Sequence, residues 1–215
     1  VGKQHMWPND VYKVRKNTFY KYPEEIKLIH EFMAKFGTPY LANGLPEWQT
    51  ENFNYMGCRT RLDSAYDGPW GTQRTGNDIY ITLNLPRIAY ESRGNDEKFF
   101  ELLDKRLAKM AETLLIKHKI TDNLLHKENL LKFLSQKFDN EEYYKFKNTT
   151  KSFGYTGLTE AMKVHTGYHL HENKDSQNFG VKVITRMREY AGECTKKYDL
   201  RFSVIASPAE TCAAR

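Results

Sequence analysis

The chain has 215 residues, with 33 Lys and Arg against 27 Asp and Glu, for a net charge of +6. That length suits one domain or a large piece of one, and it allows a sizeable core. The basic residues are scattered or interleaved with acids, as across 96–109, which argues for a solvated surface over a nucleic-acid face and leaves phosphate-bearing small ligands compatible. Three widely spaced cysteines, Cys58, Cys194 and Cys212, form no CxxC pair. They argue against a disulfide framework and for a reducing, cytoplasmic setting. No apolar run approaches a membrane span, and no signal-peptide pattern opens the chain.

In chain order, Pro23 with Glu24 and Glu25 makes a good first helical turn. Ile26, Ile29, Met33 and Phe36 then recur at helical spacing until Gly37 and Pro39 stop the run. Residues 38–78 carry Gly, Pro, Asn and Asp throughout and read as a long irregular region containing Cys58, which is the mark of a functional or disordered segment. The alternation in 78–85 predicts a strand ending at Pro86. Asn95 then caps a helix whose apolar face is Phe99, Leu103, Leu107, Met110 and Leu114. A second helix is expected from Thr121, with Leu124, Leu131, Leu134 and Phe138 on one side.

Residues 140–151 show no period and read as a surface connection. A short strand over 152–156 follows, broken by Gly157, and helix resumes over 158–165. The longest amphipathic stretch is 174–197, with Phe179, Val183, Met187, Tyr190 and Cys194 in register. After it, 200–206 reads as a buried strand and 207–210 as a turn into a new helix. Strands alternating with helices predict an α/β fold with parallel pairing. The chain opens on Val1 and closes on Arg215 at the start of a helix, so it is expected to be a piece of a longer protein.

Three segments carry chemistry. Cys58 is flanked by Gly57, which lets the backbone turn closely, and by Arg59 and Thr60, which can anchor a loop by hydrogen bonds. Read alone, a thiol there is either a small buried hydrophobe or a reactive group. Asn84 ends a strand, where its neutral amide is either turn chemistry or a ligand contact. Arg87 is either a phosphate contact or an ion-pair partner. In Ser207-Pro208-Ala209-Glu210-Thr211, a strand runs into a turn whose proline pre-sets a helix start. Such a helix start is an ordinary cap or a phosphate-binding terminus.

Together, Tyr55-Met56-Gly57-Cys58-Arg59-Thr60, Asn84-Leu85-Pro86-Arg87 and the Ser207–Thr211 segment resemble the anaerobic (class III) ribonucleoside-triphosphate reductases, which are glycyl radical enzymes. The resemblance spans 40–215. It implies a fragment of a ten-stranded α/β barrel of the glycyl radical enzyme and ribonucleotide reductase type, with 1–215 as part of one catalytic barrel domain. The N-terminal effector region and the C-terminal glycyl radical and zinc segment would lie outside these residues.

The implied activity is anaerobic reduction of ribonucleoside triphosphates to deoxyribonucleoside triphosphates, with this fragment inactive alone. By resemblance Cys58 is the thiyl-radical cysteine that takes the ribose 3′-hydrogen, and Asn84 faces the substrate. Met56 resembles the methionine of formate-using members. Gly57, Arg59, Ser207, Ala209, Glu210 and Thr211 match substrate-binding positions. The resemblance also implies a glycyl radical on a segment not present here, formate as reductant and zinc in a cysteine-rich C-terminal segment. An iron–sulfur activase using S-adenosylmethionine and a homodimer are implied as partners, with neither nucleic acid nor membrane.

His165, His169, His171 and Glu172 invite a metal reading, but Gly167 interrupts the helical spacing, so a hydrogen-bonding turn is expected and no metal is assigned. Two alternatives remain: another glycyl radical enzyme with a non-nucleotide substrate, and a non-catalytic basic module that binds nucleic acid with salt-sensitive affinity.

Overall fold

The computed structural model describes residues 11–36, 39–47, 51, 53–56, 60–62 and 74–207, and the chain forms two units, 1–73 and 74–215. In the first unit, strand β1 (Val11–Val14) pairs in parallel with β2 (Tyr40–Asn43), and the connection carries helices α1 (Thr18–Lys21) and α2 (Pro23–Phe36). Helix α2 starts where expected, with Glu24 and Glu25 favouring the positive end of its dipole. Ile26 is buried, and Ile29, Met33 and Phe36 are half-buried. Strands β3 (Asn54–Met56) and β4 (Thr60–Leu62) pair antiparallel with Met56 opposite Thr60. Among its described residues, the expected irregular region 38–78 therefore holds the short strands β2, β3 and β4 ahead of a longer strand that begins at Asn77. At three or four residues each, they are too short to show alternation.

The second unit is built on three parallel strands. These are β5 (Asn77–Asn84), β8 (Thr150–Thr156) and β9 (Phe202–Ala206), in that spatial order. Between β5 and β8 lie α3 (Leu85–Ser92), α4 (Asp96–His126), and the hairpin strands β6 (Lys137–Phe138) and β7 (Glu141–Glu142). Between β8 and β9 lie α5 (Leu158–Thr166) and α6 (Lys174–Tyr198). The α/β reading with parallel pairing holds.

Register fixes two unlike faces. Ile81, Phe153 and Val204 are partners across the sheet, as are Leu83, Tyr155 and Ala206, and this side packs on the helices. Phe153 is fully buried, with the rings of Phe202 and Tyr190 at 5.7 and 5.8 Å. Leu103 and Leu107 of α4 and Val183 and Met187 of α6 complete the layer. The Arg186 guanidinium of α6 donates to both carboxylate oxygens of Asp104 on α4, at 2.8 and 3.1 Å.

Four sequence expectations need correction. First, β5 stops at Asn84, and Leu85 and Pro86 open a helix at once, because proline needs no N–H in a first turn. Second, α4 runs unbroken for 31 residues, since neither Gly nor Pro interrupts it. Third, no helix continues to Phe138. The chain turns after His126, Asn129 takes a positive φ, Leu125 rather than Leu124 is buried, and Phe138 is exposed. Fourth, Thr149, Thr150 and Lys151 belong to the buried sheet region rather than to a surface connection.

Helix α6 starts at Asn173, whose side-chain oxygen accepts from the N–H of Asp175 (2.7 Å) and of Ser176 (3.3 Å). Removing it leaves both donors without that partner. Asn173→Ala is expected to cost about 1 kcal/mol in a denaturant titration.

Candidate functional site

Parallel sheets are usually apolar on both faces, because helices cover each side. Here the second face carries Tyr80, Thr82 and Asn84 on β5, Ser152, Gly154 and Thr156 on β8, and Ser203 and Ile205 on β9. Hydroxyls tie the strands together on it, with Ser152 Oγ 2.9 Å from Ser203 Oγ and 3.3 Å from Asn77 Oδ1. Such a face is built to meet polar groups, and the carboxyl ends of parallel strands are where ligands of open α/β sheets bind.

At that edge, Asn84 caps α3 by accepting the Arg87 N–H at 3.1 Å. The cap uses the amide oxygen and fixes the plane of the amide, which leaves the NH₂ as a held donor on an exposed residue. Ser207 follows β9 directly. Its N–H donates to the Tyr155 carbonyl at 2.9 Å, and its Oγ lies 2.7 Å from Thr82 Oγ1. That close approach crosses β8 at Gly154, where a Cβ would stand 2.5 Å from Ser207 Oγ and 3.2 Å from Thr82 Oγ1. Gly157, at φ +71°, starts α5, and a Cβ there would meet the Pro86 ring at 2.6 Å. So two glycines let the turn after β5 and the end of β9 close over β8.

Of the residues marked in the sequence, Asn84 ends β5 and Ser207 follows β9, on either side of β8 at this end of the sheet. Met56 ends β3 and is 36 % exposed. Gly57, Cys58 and Arg59, between β3 and β4, lie outside the described residues, as do Pro208, Ala209, Glu210, Thr211 and Cys212. Arg87 is an ion-pair partner, with its Nε 2.9 Å from Glu91 Oε1, and Arg106 shares the same carboxylate. Those two guanidinium groups hold Glu91 below the usual carboxylate range.

The cluster His165, His169, His171 and Glu172 is held by hydrogen bonds and ring contacts. His165 is nearly enclosed, its Nε2 2.8 Å from Asp96 and its Nδ1 3.2 Å from Ser92, with its ring stacked on Phe179. Gly167 ends α5 in the left-handed region, as expected. The His169 N–H donates to Glu172 at 2.7 Å and holds that carboxylate low. Among the described residues, no group of three or more His, Cys, Asp or Glu is placed to hold a metal ion. Cys194 faces the core, and burial pushes its thiol up.

Sequence reading missed a buried polar cluster at the opposite end of the sheet. His118 Nδ1 lies 2.7 Å from Asp78, and Lys151 Nζ lies 4.0 Å from the same carboxylate and donates to the Thr149 carbonyl at 2.9 Å. The His118 ring stacks on Phe146 at 4.6 Å. Burial and the Asp78 charge raise the Tyr144 phenol beside it.

The family model for anaerobic ribonucleoside-triphosphate reductase matches residues 1–215. The chain belongs to that family. The Escherichia coli (strain K12) anaerobic ribonucleoside-triphosphate reductase is 27 % identical over 177 residues, covering 74 % of this chain and 24 % of that protein. The enzyme of Enterobacteria phage T4 is 27 % identical over 180 residues, covering 74 % and 27 %. The chain thus spans about a quarter of the length of these relatives.

Among solved structures, the Thermotoga maritima anaerobic ribonucleotide reductase in complex with dATP and CTP superposes with a TM-score of 0.67. It covers 96 % of this chain and 34 % of that one at 20 % identity, a likeness of fold. The same enzyme with dATP bound in the specificity site matches at 26 % identity and a TM-score of 0.54, over 65 % and 24 % of the two chains. The barrel-type fold of the family is therefore the fold this chain partly builds. No helix among the described residues is long and apolar enough to cross a membrane.

Proposed function

We propose that residues 1–215 form part of the catalytic barrel of an anaerobic ribonucleoside-triphosphate reductase acting in the cytoplasm. One observation carries most weight beside family membership. Asn84, at the end of β5, and Ser207, just after β9, flank β8 at the carboxyl end of the parallel sheet, and the Ser207 hydroxyl lies 2.7 Å from Thr82, two residues before Asn84. In this reading the Asn84 amide donates to a ribose hydroxyl, and Ser207 with Ala209, Glu210 and Thr211 receives the phosphates.

Cys58 supplies the reactive thiol, placed by Gly57 and Arg59. Its S–H bond is weak enough to exchange hydrogen reversibly with a ribose carbon. The thiyl form takes the 3′-hydrogen, the 2′-hydroxyl leaves as water, and a reductant closes the cycle. Met56, two residues before Cys58 in the sequence, supports formate in that last role. A glycyl radical on a segment outside this chain, installed by an iron–sulfur activase using S-adenosylmethionine, supplies the radical equivalent. Zinc belongs to a separate cysteine-rich segment, and the complete enzyme works as a homodimer.

The test is anaerobic turnover by the complete polypeptide with its activase. Formation of deoxyribonucleoside triphosphates is expected, and binding of nucleoside triphosphates without any deoxynucleotide formed would sink the reductase reading.

A further inference from the structure

Among the described residues, the Ser207 hydroxyl is joined to Thr82, which lies two residues before Asn84 on the same face of β5. Ser207 has two donors. Its backbone N–H is committed to the Tyr155 carbonyl at 2.9 Å, so its hydroxyl is the donor left for a ligand. That hydroxyl sits 2.7 Å from Thr82 Oγ1, and either oxygen can be the donor. A phosphate group near neutral pH offers acceptors only, so it selects one direction. Thr82 donates to Ser207, and Ser207 donates to the phosphate oxygen.

We propose that Thr82 is a positioning residue for nucleotide phosphate, its hydroxyl orienting and polarising that of Ser207 across the gap left by Gly154. Two independent features of the sheet serve this contact. Register sets Thr82 opposite Gly154, and the missing Cβ at Gly154 clears the line that a side chain would close, 2.5 Å from Ser207 Oγ. Hydrogen bonds in a chain strengthen one another, so the Thr82 donor sharpens the affinity of Ser207 for an anion more than for a neutral group. The inference rests on the reading of this edge as a phosphate site.

The experiment is calorimetric titration of the complete polypeptide with CTP and, separately, with cytidine. Thr82→Val keeps the shape and removes the donor. It is expected to weaken CTP by about three- to tenfold while leaving cytidine unchanged. Thr82→Ser restores the donor and is expected to bind CTP within about twofold of the parent protein. Gly154→Ala places a methyl 2.5 Å from the Ser207 hydroxyl and 3.2 Å from that of Thr82, which leaves the Thr82 side chain in place but closes the line between the two, and is expected to show the same phosphate-dependent loss.

Equal weakening of CTP and cytidine would make Thr82 a packing residue and overturn the proposal, as would unchanged CTP affinity in Thr82→Val or failure of Thr82→Ser to restore it. A parent protein that binds no CTP at all would overturn the phosphate reading itself, a result distinct from any of these.

Discussion

Cys58→Ser in the complete enzyme is expected to abolish deoxynucleotide formation while leaving nucleotide affinity and fold intact. The substitution changes one atom and nearly preserves volume, so packing and substrate contacts should survive. The chemistry should not, because an O–H bond is too strong to exchange hydrogen reversibly with a ribose carbon. A loss of more than about a thousandfold is expected, the scale seen when a group central to the chemistry is removed. Cys194 cannot take over. It is buried in the core on α6, out of reach of a substrate. Anaerobic turnover, with circular dichroism and a CTP titration as controls, reads the result. Retained turnover would remove Cys58 from the reaction, and loss of affinity together with turnover would make it a structural residue.

Phe153→Ala is expected to give the largest loss of stability in the second unit. Phe153 is fully buried on the central strand, between β5 and β9, with the rings of Tyr190 and Phe202 against it. Truncation removes the transfer free energy of a benzyl group and leaves a cavity that strands on both sides cannot close. A cost of about 3–5 kcal/mol is expected, a large share of the roughly 5–15 kcal/mol that holds a typical domain. Denaturant unfolding should show a lower midpoint at unchanged slope. Phe153→Leu should recover much of the loss. A cost under about 1 kcal/mol for the alanine variant would mean that the sheet is not packed as described.

Much of this architecture was readable because its elements are long and one-sided. Helix α6 and the first half of α4 each bury a stripe at helical spacing, from Phe179 to Cys194 and from Phe99 to Leu114. Strand β5 shows strict alternation, which in a parallel strand also signals a polar second face. The second half of α4 is not legible in the pattern because Ile116 and Ile120 face outward and no single stripe continues. The strands of the first unit span three or four residues, and pairing rather than pattern defines them. Helix α3 is hidden because a proline ends a strand pattern and equally opens a helix, and Pro86 stands in a first turn.

The site divides in the same way. Asn84 and Ser207 sit in motifs that can be recognised in a line of sequence. Thr82 and Gly154 gain meaning only once register sets them side by side. The Asp78, His118 and Lys151 cluster joins residues 40 and 73 positions apart from Asp78, a distance no local pattern bridges.

The central claim is that Asn84 and Ser207 hold the two ends of one nucleotide. A structure of the complete enzyme with a ribonucleoside triphosphate bound tests it most directly. The expected result is a phosphate oxygen within about 3 Å of Ser207 Oγ and a ribose hydroxyl at a similar distance from the Asn84 amide nitrogen. A nucleotide seated away from this sheet edge, with both side chains still occupied only by Thr82 and the Arg87 N–H, would contradict it.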